Sequence, residues 1–183
     1  MKDDNFVSYS NRVSELLRNV NQAEIIALLT ALKITISDKG TIYVIGNGGS
    51  AATASHFSTD LRIIAQRKKV MVKVVSLTDN SSAITAIGND LEFEKIFSTQ
   101  LQGILTDQDL VFCISASGNS KNLISAVEYA NDIGAKTSAL VGFDGGTLSK
   151  ISRDYCLVPS LNGEYGPTED IHLSICHFLA INI

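Results

Sequence analysis

Two short loops and one helix carry most of the side chains able to do chemistry. The first loop lies within Thr41–Asp60, TIYVIGNGGSAATASHFSTD. That stretch reads as an apolar strand (Thr41–Ile45), a glycine turn (Gly46-Asn47-Gly48-Gly49) and a helix with Ser50 as its expected N-cap. The glycines permit positive φ and let the backbone come close to a ligand. Free amides and the positive helix end then converge on one spot, which makes an anion seat. His56 and Asp60 stand four residues apart and share a helix face. A phosphate seat beside an imidazole and a carboxylate suits sugar-phosphate chemistry.

The second loop, Ser115-Ala116-Ser117-Gly118-Asn119-Ser120, offers three hydroxyls, an amide and a helix start capped by Ser120. Hydroxyl donors and free amides match the three acceptor oxygens of a phosphate. The pattern GxxxxGK[ST] is absent from the sequence, so a nucleoside triphosphate with magnesium is not indicated. The C-terminal helix, with Pro167 in its first turn, carries Glu169, Asp170, His172 and His177. Glu169 and His177 are eight residues apart, roughly 80° around the axis, so a ligand lying between their directions could meet both. Asp170 reads as a dipole partner in the first turn and His172 as a packed core residue. Gly88-Asn89-Asp90 reads as a helix stop, and Asp144-Gly145-Gly146 as a tight turn without chemistry.

These groups need a scaffold, and 183 residues supply one domain with a proper core. Apolar residues are 45% and charged residues 19%, as in folded proteins. A net charge of −4 gives no support to nucleic-acid binding through a basic surface, and the cluster Arg62–Lys73 reads as a solvated connection. No run of about 18 apolar residues predicts a membrane span. The acidic N-terminus MKDDNFVSYS argues against secretion. Cys113, Cys156 and Cys176 sit in apolar segments without CxxC spacing, so buried reduced thiols and a cytoplasmic setting are expected.

Helical periodicity runs from Phe6 to Leu32, with a break around Asn19–Asn21. This leading segment has no strand to cross over to, so it is expected outside the domain or on another subunit. Further strands are expected at Val70–Leu77, Leu110–Ile114, Thr137–Val141 and Tyr155–Val158. The helices between them are Ala83–Ile87, Leu91–Leu105, a helix from Ser120 to Ile133 with Gly134 as its stop, a short one from Thr147, and the last from Pro167. Alternating strands and helices with short connections predict a doubly wound parallel sheet. Ligands in such sheets sit at the carboxyl ends of the strands, where the order reverses. For the two polar loops to meet there, strands one and three must be neighbours, as in the order 2-1-3-4-5.

The glycine loop Gly46–Ser50, the loop Ser115–Ser120, Gly88-Asn89-Asp90 and the His-bearing last helix together resemble the sugar isomerase (SIS) domain, within it the phosphoheptose isomerase group. The resemblance covers nearly the whole of residues 1–183. It implies a three-layer α/β/α fold on a five-stranded parallel sheet with an extra N-terminal helix, residues 1–35 packing at a subunit interface. It implies isomerisation of sedoheptulose 7-phosphate to D-glycero-D-manno-heptose 7-phosphate for surface polysaccharide, in a cytoplasmic homotetramer with sites shared between subunits. Asn47, Gly48, Gly49, Ser50, Ser115, Ser117 and Ser120 would hold the sugar phosphate, with Asn89, Asp90 and Glu169 touching the substrate. His56, Asp60, Glu169 and His177 would bind zinc and move protons. The alternatives are a non-catalytic member that binds a phosphosugar or a protein such as the replication initiator DnaA, and a sugar-phosphate sensor.

Against the family pattern, Asp60 stands for Glu, Glu169 for Gln, Ala116 for Thr, and Ile63-Ile64 for Gly-Arg. Two imidazoles and two carboxylates still suit a divalent ion. Aldose–ketose isomerisation needs a base for the carbon beside the carbonyl and an acid to return the proton. The expectation gives the base to Asp60 or Glu169 and the partner role to His177.

Overall fold

The structure, a computed structural model, describes residues 5–183; the first four residues of the acidic N-terminus lie outside the described residues. Its frame is one parallel sheet in the order β2-β1-β3-β4-β5, as expected. The strands are β1 (Thr41–Gly46), β2 (Lys73–Ser76), β3 (Leu110–Ser115), β4 (Lys136–Val141) and β5 (Asp154–Leu157). Alternate side chains of each strand feed opposite layers. Ile42, Val44, Leu110, Phe112 and Ile114 pack on one face, and Tyr43, Ile45, Val111 and Cys113 on the other. The first face is covered by α1 (Phe6–Asn19), α2 (Gln22–Ser37), α3 (Gly49–Lys68) and α8 (Tyr165–Asn182). The second is covered by α4 (Ser81–Asp90), α5 (Ser98–Leu101), α6 (Lys121–Ile133) and α7 (Leu148–Ile151). All six β3 residues are buried, because that strand is central and covered on both sides.

The leading segment is two helices, broken at the asparagines where the sequence places the break. Asn21 starts α2 by accepting a hydrogen bond from the Ala23 amide, so the asparagine cluster is a cap and a break. Contrary to the expectation of an external position, α2 buries Leu28, Leu29 and Leu32 in the core and so belongs to the helical layer. Burying each of those side chains stabilises the fold by about 1.5–3 kcal/mol. α1 is the more peripheral: Leu16 is its one fully buried residue, while Phe6 and Val7 are exposed. It is tied to the chain's other end by Arg12, paired with Glu164 at 2.8 Å, and by the Tyr9 hydroxyl donating to Asp170 Oδ2. The hydrogen bond to Asp170, and burial after it, push the Tyr9 phenol up to about 12.

Several boundaries differ from the sequence reading. Gly48 (φ 55°), not Ser50, is the N-cap of α3; Ser50 lies one residue inside the helix and is buried. β2 is half the expected length, because Lys69 turns left-handed (φ 58°) and the Val70 amide closes the end of α3 on the Ala65 carbonyl. Gly88-Asn89-Asp90 is the last turn of α4, not its stop. The helix expected over Leu91–Leu105 is a 3₁₀ turn (Phe93–Lys95) followed by the four-residue α5. Leu91, at φ −119° and ψ −106°, breaks the chain there, and the short pieces bring Ile96, Phe97 and Leu101 into the core. α8 begins two residues before Pro167, so Glu169 and Asp170 lie beyond its first turn.

The three cysteines are buried and unpaired, as expected, and burial raises each thiol above its ordinary range. Among the described residues, no single helix is long and apolar enough to cross a membrane.

Candidate active site

The register sets Ile45 beside Cys113 and Gly46 beside Ile114, so the loops after β1 and β3 emerge side by side. Between them lies a pocket of about 180 Å³ lined by Asn47, Ser50, Ile114, Ser115, Ala116, Ser117, Ser120, Tyr165 and Glu169. Four of the nine are serines, and the starts of α3 and α6 add free amides, so the pocket is rich in donors for an anion. The serine loop is internally braced. Ser115 Oγ accepts from the Gly118 amide at 3.1 Å, and Ser117 Oγ from the Asn119 amide at 3.3 Å. From outside, the Asn119 side chain accepts from both the amide and the hydroxyl of Thr147, and the Leu148 amide donates to the Gly118 carbonyl. The Asp144-Gly145-Gly146 turn, read from sequence as inert, packs against Gly118 and Ser117 just before these contacts and so helps to buttress the serine loop.

α3 and α8 lie side by side and run in the same direction. Near their starts Glu169 stands against Gly49; further along, His177 stands against His56. There His56 Nε2 is 3.2 Å from His177 Nε2 and 3.3 Å from Asp60 Oδ2, with His177 Nε2 to Asp60 Oδ2 at 3.7 Å. Donor atoms about 2.0–2.1 Å from one tetrahedral ion are about 3.3 Å apart, so this triad fits a divalent metal. Two imidazoles turning the same nitrogen toward one carboxylate oxygen form a donor set of borderline softness, suited to zinc-like ions. His56 and His177 are half-exposed, which leaves the cluster open to a further ligand.

Not every residue expected at the site is brought together. Asn47, Ser50, Ser115, Ser117, Ser120 and Glu169 share the pocket; Gly48 and Gly49, the cap and first residue of α3, lie between Asn47 and Ser50 but outside its lining. His56, Asp60 and His177 share the triad. Glu169, expected with the triad, lies about two helical turns away from it in the same chain. Asn89 and Asp90 are exposed at the end of α4, bonded to each other at 2.8 Å and not in the pocket lining. His172 is fully buried, and burial, only partly offset by the backbone of Val141, lowers its pKa to about 4. It is therefore a neutral core residue. Two pocket features escaped the sequence reading: Tyr165, held edge-on by Phe143 at 5.1 Å, and Asn122, hydrogen-bonded behind Asn47. Asn122 had a usable signal, since an amide sits on the apolar stripe Leu123, Ala126, Val127, Ala130.

Glycine at position 49 leaves room for the acid opposite. A Cβ there would run into Glu169 Oε2 and lie 2.7 Å from its Cδ. The carboxylate ends a flexible side chain and can retreat, and alanine is a better helix former than glycine. Gly49→Ala should therefore keep or slightly raise the melting temperature while lowering activity by roughly tenfold or more through displacement of Glu169. Thermal melts and turnover measured on the same preparation check both halves.

Residues 6–142 match the family model described as SIS domain. The chain is 37% identical to the phosphoheptose isomerase of Helicobacter pylori (strain HPAG1) over 145 residues, 79% of this chain and 74% of that protein. It is 34% identical to a probable phosphoheptose isomerase of Thermoplasma acidophilum over 168 residues, 90% of each. The solved phosphoheptose isomerase of Neisseria gonorrhoeae superposes with a TM-score of 0.85 at 29% identity, covering 96% of this chain and 93% of that one. With the doubly wound sheet, the serine pocket and the paired helices in place, these matches show that the chain belongs to the SIS domain family, in its phosphoheptose isomerase group.

Proposed function

We propose that the protein is a phosphosugar isomerase that interconverts sedoheptulose 7-phosphate and D-glycero-D-manno-heptose 7-phosphate in the cytoplasm, supplying heptose for surface polysaccharide. The observation that carries this reading is the pairing of α3 and α8, with an anion pocket at their starts and a His56–Asp60–His177 cluster further along. The similarity to phosphoheptose isomerases supports the substrate class.

In this reading the serine hydroxyls and helix-start amides grip the phosphate and fix the sugar's distal end. Asp60 takes a proton from C1 of the ketose, the C1–C2 enediol forms, and a proton is returned to C2 to give the aldose. Asp60 Oδ2 faces both imidazoles, while its Oδ1 has no hydrogen-bond partner among the described residues and is free for that transfer. His177 carries the proton between the two sugar oxygens, within 3.7 Å of that carboxylate. His56, Asp60 and His177 would hold zinc, which when bound would occupy the His177 Nε2, leave its Nδ1 for proton transfer, and supply Lewis-acid polarisation of a carbonyl.

Glu169 keeps its place in the ligand set if it comes from a second copy, since within one chain it lies about two turns from the triad. Asn89 and Asp90, exposed and outside the pocket of their own chain, fit the same arrangement as substrate contacts donated to a neighbour. Exposed apolar residues on the helices of that face support assembly. Leu17, Ile26 and Phe178 are exposed along an apolar groove of about 350 Å³ that Ile25 and Ile175 also line, and Ile181 is exposed on the same helix as Phe178. A homotetramer, with residues 1–35 at the interface, is the assembly proposed.

The test is an aldose–ketose assay with seven-carbon and six-carbon sugar phosphates, alongside the metal content of the purified protein. Turnover of the seven-carbon pair with about one zinc per chain is expected. Absence of turnover on every pair, in metal-replete protein, would refute the reading.

A further inference from the structure

We infer that Asn122 is a positioning residue for the phosphate site, acting through Asn47. The inference rests on the isomerase reading and assigns one of its supporting parts. Asn47 Nδ2 donates to Asn122 Oδ1 at 2.8 Å, and Asn122 Nδ2 donates back to Asn47 Oδ1 at 2.9 Å. Two amides paired in this way lie head to tail and fix each other's position and orientation. Asn122 is 2% exposed, and its Oδ1 also accepts from the Leu123 amide at 3.0 Å, so α6 itself holds its carbonyl end.

The pair spans the site. Asn47 belongs to the turn after β1, and Asn122 to the first turn of α6, the helix that the serine loop enters. Neighbouring strands set the two loops side by side, but β1–β3 pairing ends at Gly46 and Ile114. Beyond that point the Asn47–Asn122 pair is a direct side-chain bridge between them, and it fixes the distance from the turn at Gly48 to the hydroxyl of Ser120. A phosphate bound by both loops needs that distance held, because donors must reach its oxygens within a few tenths of an ångström.

The pairing also changes the reading of Asn47. One of its amide hydrogens and one of its carbonyl lone pairs are committed to Asn122, so its main task is to hold the turn rather than to grip the sugar. Loss of Asn47 leaves the Asn122 amide nitrogen buried and unsatisfied, and loss of Asn122 leaves the half-buried Asn47 free to turn toward the pocket, whereas loss of both removes the conflict.

The experiment compares Asn122→Asp, Asn122→Leu, Asn47→Leu and the double leucine variant. Affinity for inorganic phosphate is read by titration calorimetry, and KM and kcat with the sugar phosphate. Asn122→Asp is nearly isosteric but sets a carboxylate oxygen against Asn47 Oδ1. It should weaken phosphate binding and raise KM by roughly tenfold, with kcat changed by less than about threefold. The double variant should bind phosphate no worse than the weaker single one. Asn122→Asp that binds phosphate and turns over within twofold of the wild type overturns the assignment. So does a double variant whose loss is the product of the two single losses. If the leucine variants do not fold, the aspartate comparison decides. A wild-type chain that binds no phosphate and isomerises nothing overturns the isomerase reading, and the role of the pair with it; an active wild type with an indifferent Asn122→Asp overturns the pair's role alone.

Discussion

Chains carrying His177→Ala and chains carrying Glu169→Ala should each lose isomerase turnover by at least about 100-fold alone, and recover it when assembled together. His177 and Glu169 lie on one helix, yet His177 faces His56 and Asp60 while Glu169 lies against Gly49, so one chain does not bring both to the same spot. If the fourth donor comes from a neighbour, each site combines the triad of one chain with Glu169 of another. A mixed pair then has one site with both defects and one with neither. Random mixing makes half of the pairs mixed, so roughly a quarter of wild-type activity should return. Bound metal should follow the same course, low in each variant and restored in part by mixing. Mixed assemblies confirmed by native mass spectrometry but still inactive would place the whole site within one chain.

The second large effect is expected at Gly118. Its φ of 63° lies in the left-handed region, and a Cβ there would collide with the Gly145 carbonyl oxygen and lie 2.7 Å from the Gly145 carbon. A left-handed conformation costs a non-glycine residue about 1–2 kcal/mol by itself. The collision is with backbone, which cannot swing aside, so the serine loop and its buttress must move apart. Gly118→Ala should destabilise the protein by about 2–4 kcal/mol, which lowers the melting temperature by roughly 5–10 °C, and should abolish phosphate binding. Gly103→Ala is the control, since Gly103 has φ 77° with open space around its missing Cβ. It should show only the conformational cost and bind phosphate normally. Equal behaviour of the two variants would remove the close approach from the account of the loop.

Much of the sheet was legible because β1 and β3 are nearly continuous apolar runs and the loops after them are marked by glycine and serine. The order 2-1-3-4-5 followed from requiring those two loops to meet, and the register delivers that. Residues 91–105 were illegible for a definite reason. Their apolar spacing suits a helix, but the core takes Ile96, Phe97 and Leu101 from separate short turns, a tertiary choice that periodicity does not record. Ser50 was misplaced because its capping chemistry is generic, whereas Gly48 starts α3 through a backbone angle that serine seldom adopts. In the site, His56 and Asp60 could be paired from their spacing on one helix. Their meeting with His177 depends on two helices adopting a common direction, and only the fold supplies that. Asn122 was passed over since its partner is 75 residues away in sequence.

The brace between α1 and the root of α8 has a practical consequence. Judged by buried hydrophobic surface, α1 contributes little, with a single fully buried residue. Yet its Tyr9 and Arg12 neutralise or occupy two acids, Asp170 and Glu164, that flank the pocket residues Tyr165 and Glu169. A chain trimmed to begin at α2 would give up Leu16 and Val20 from one edge of the core and leave two unpartnered acids beside the pocket proposed to take a phosphate dianion.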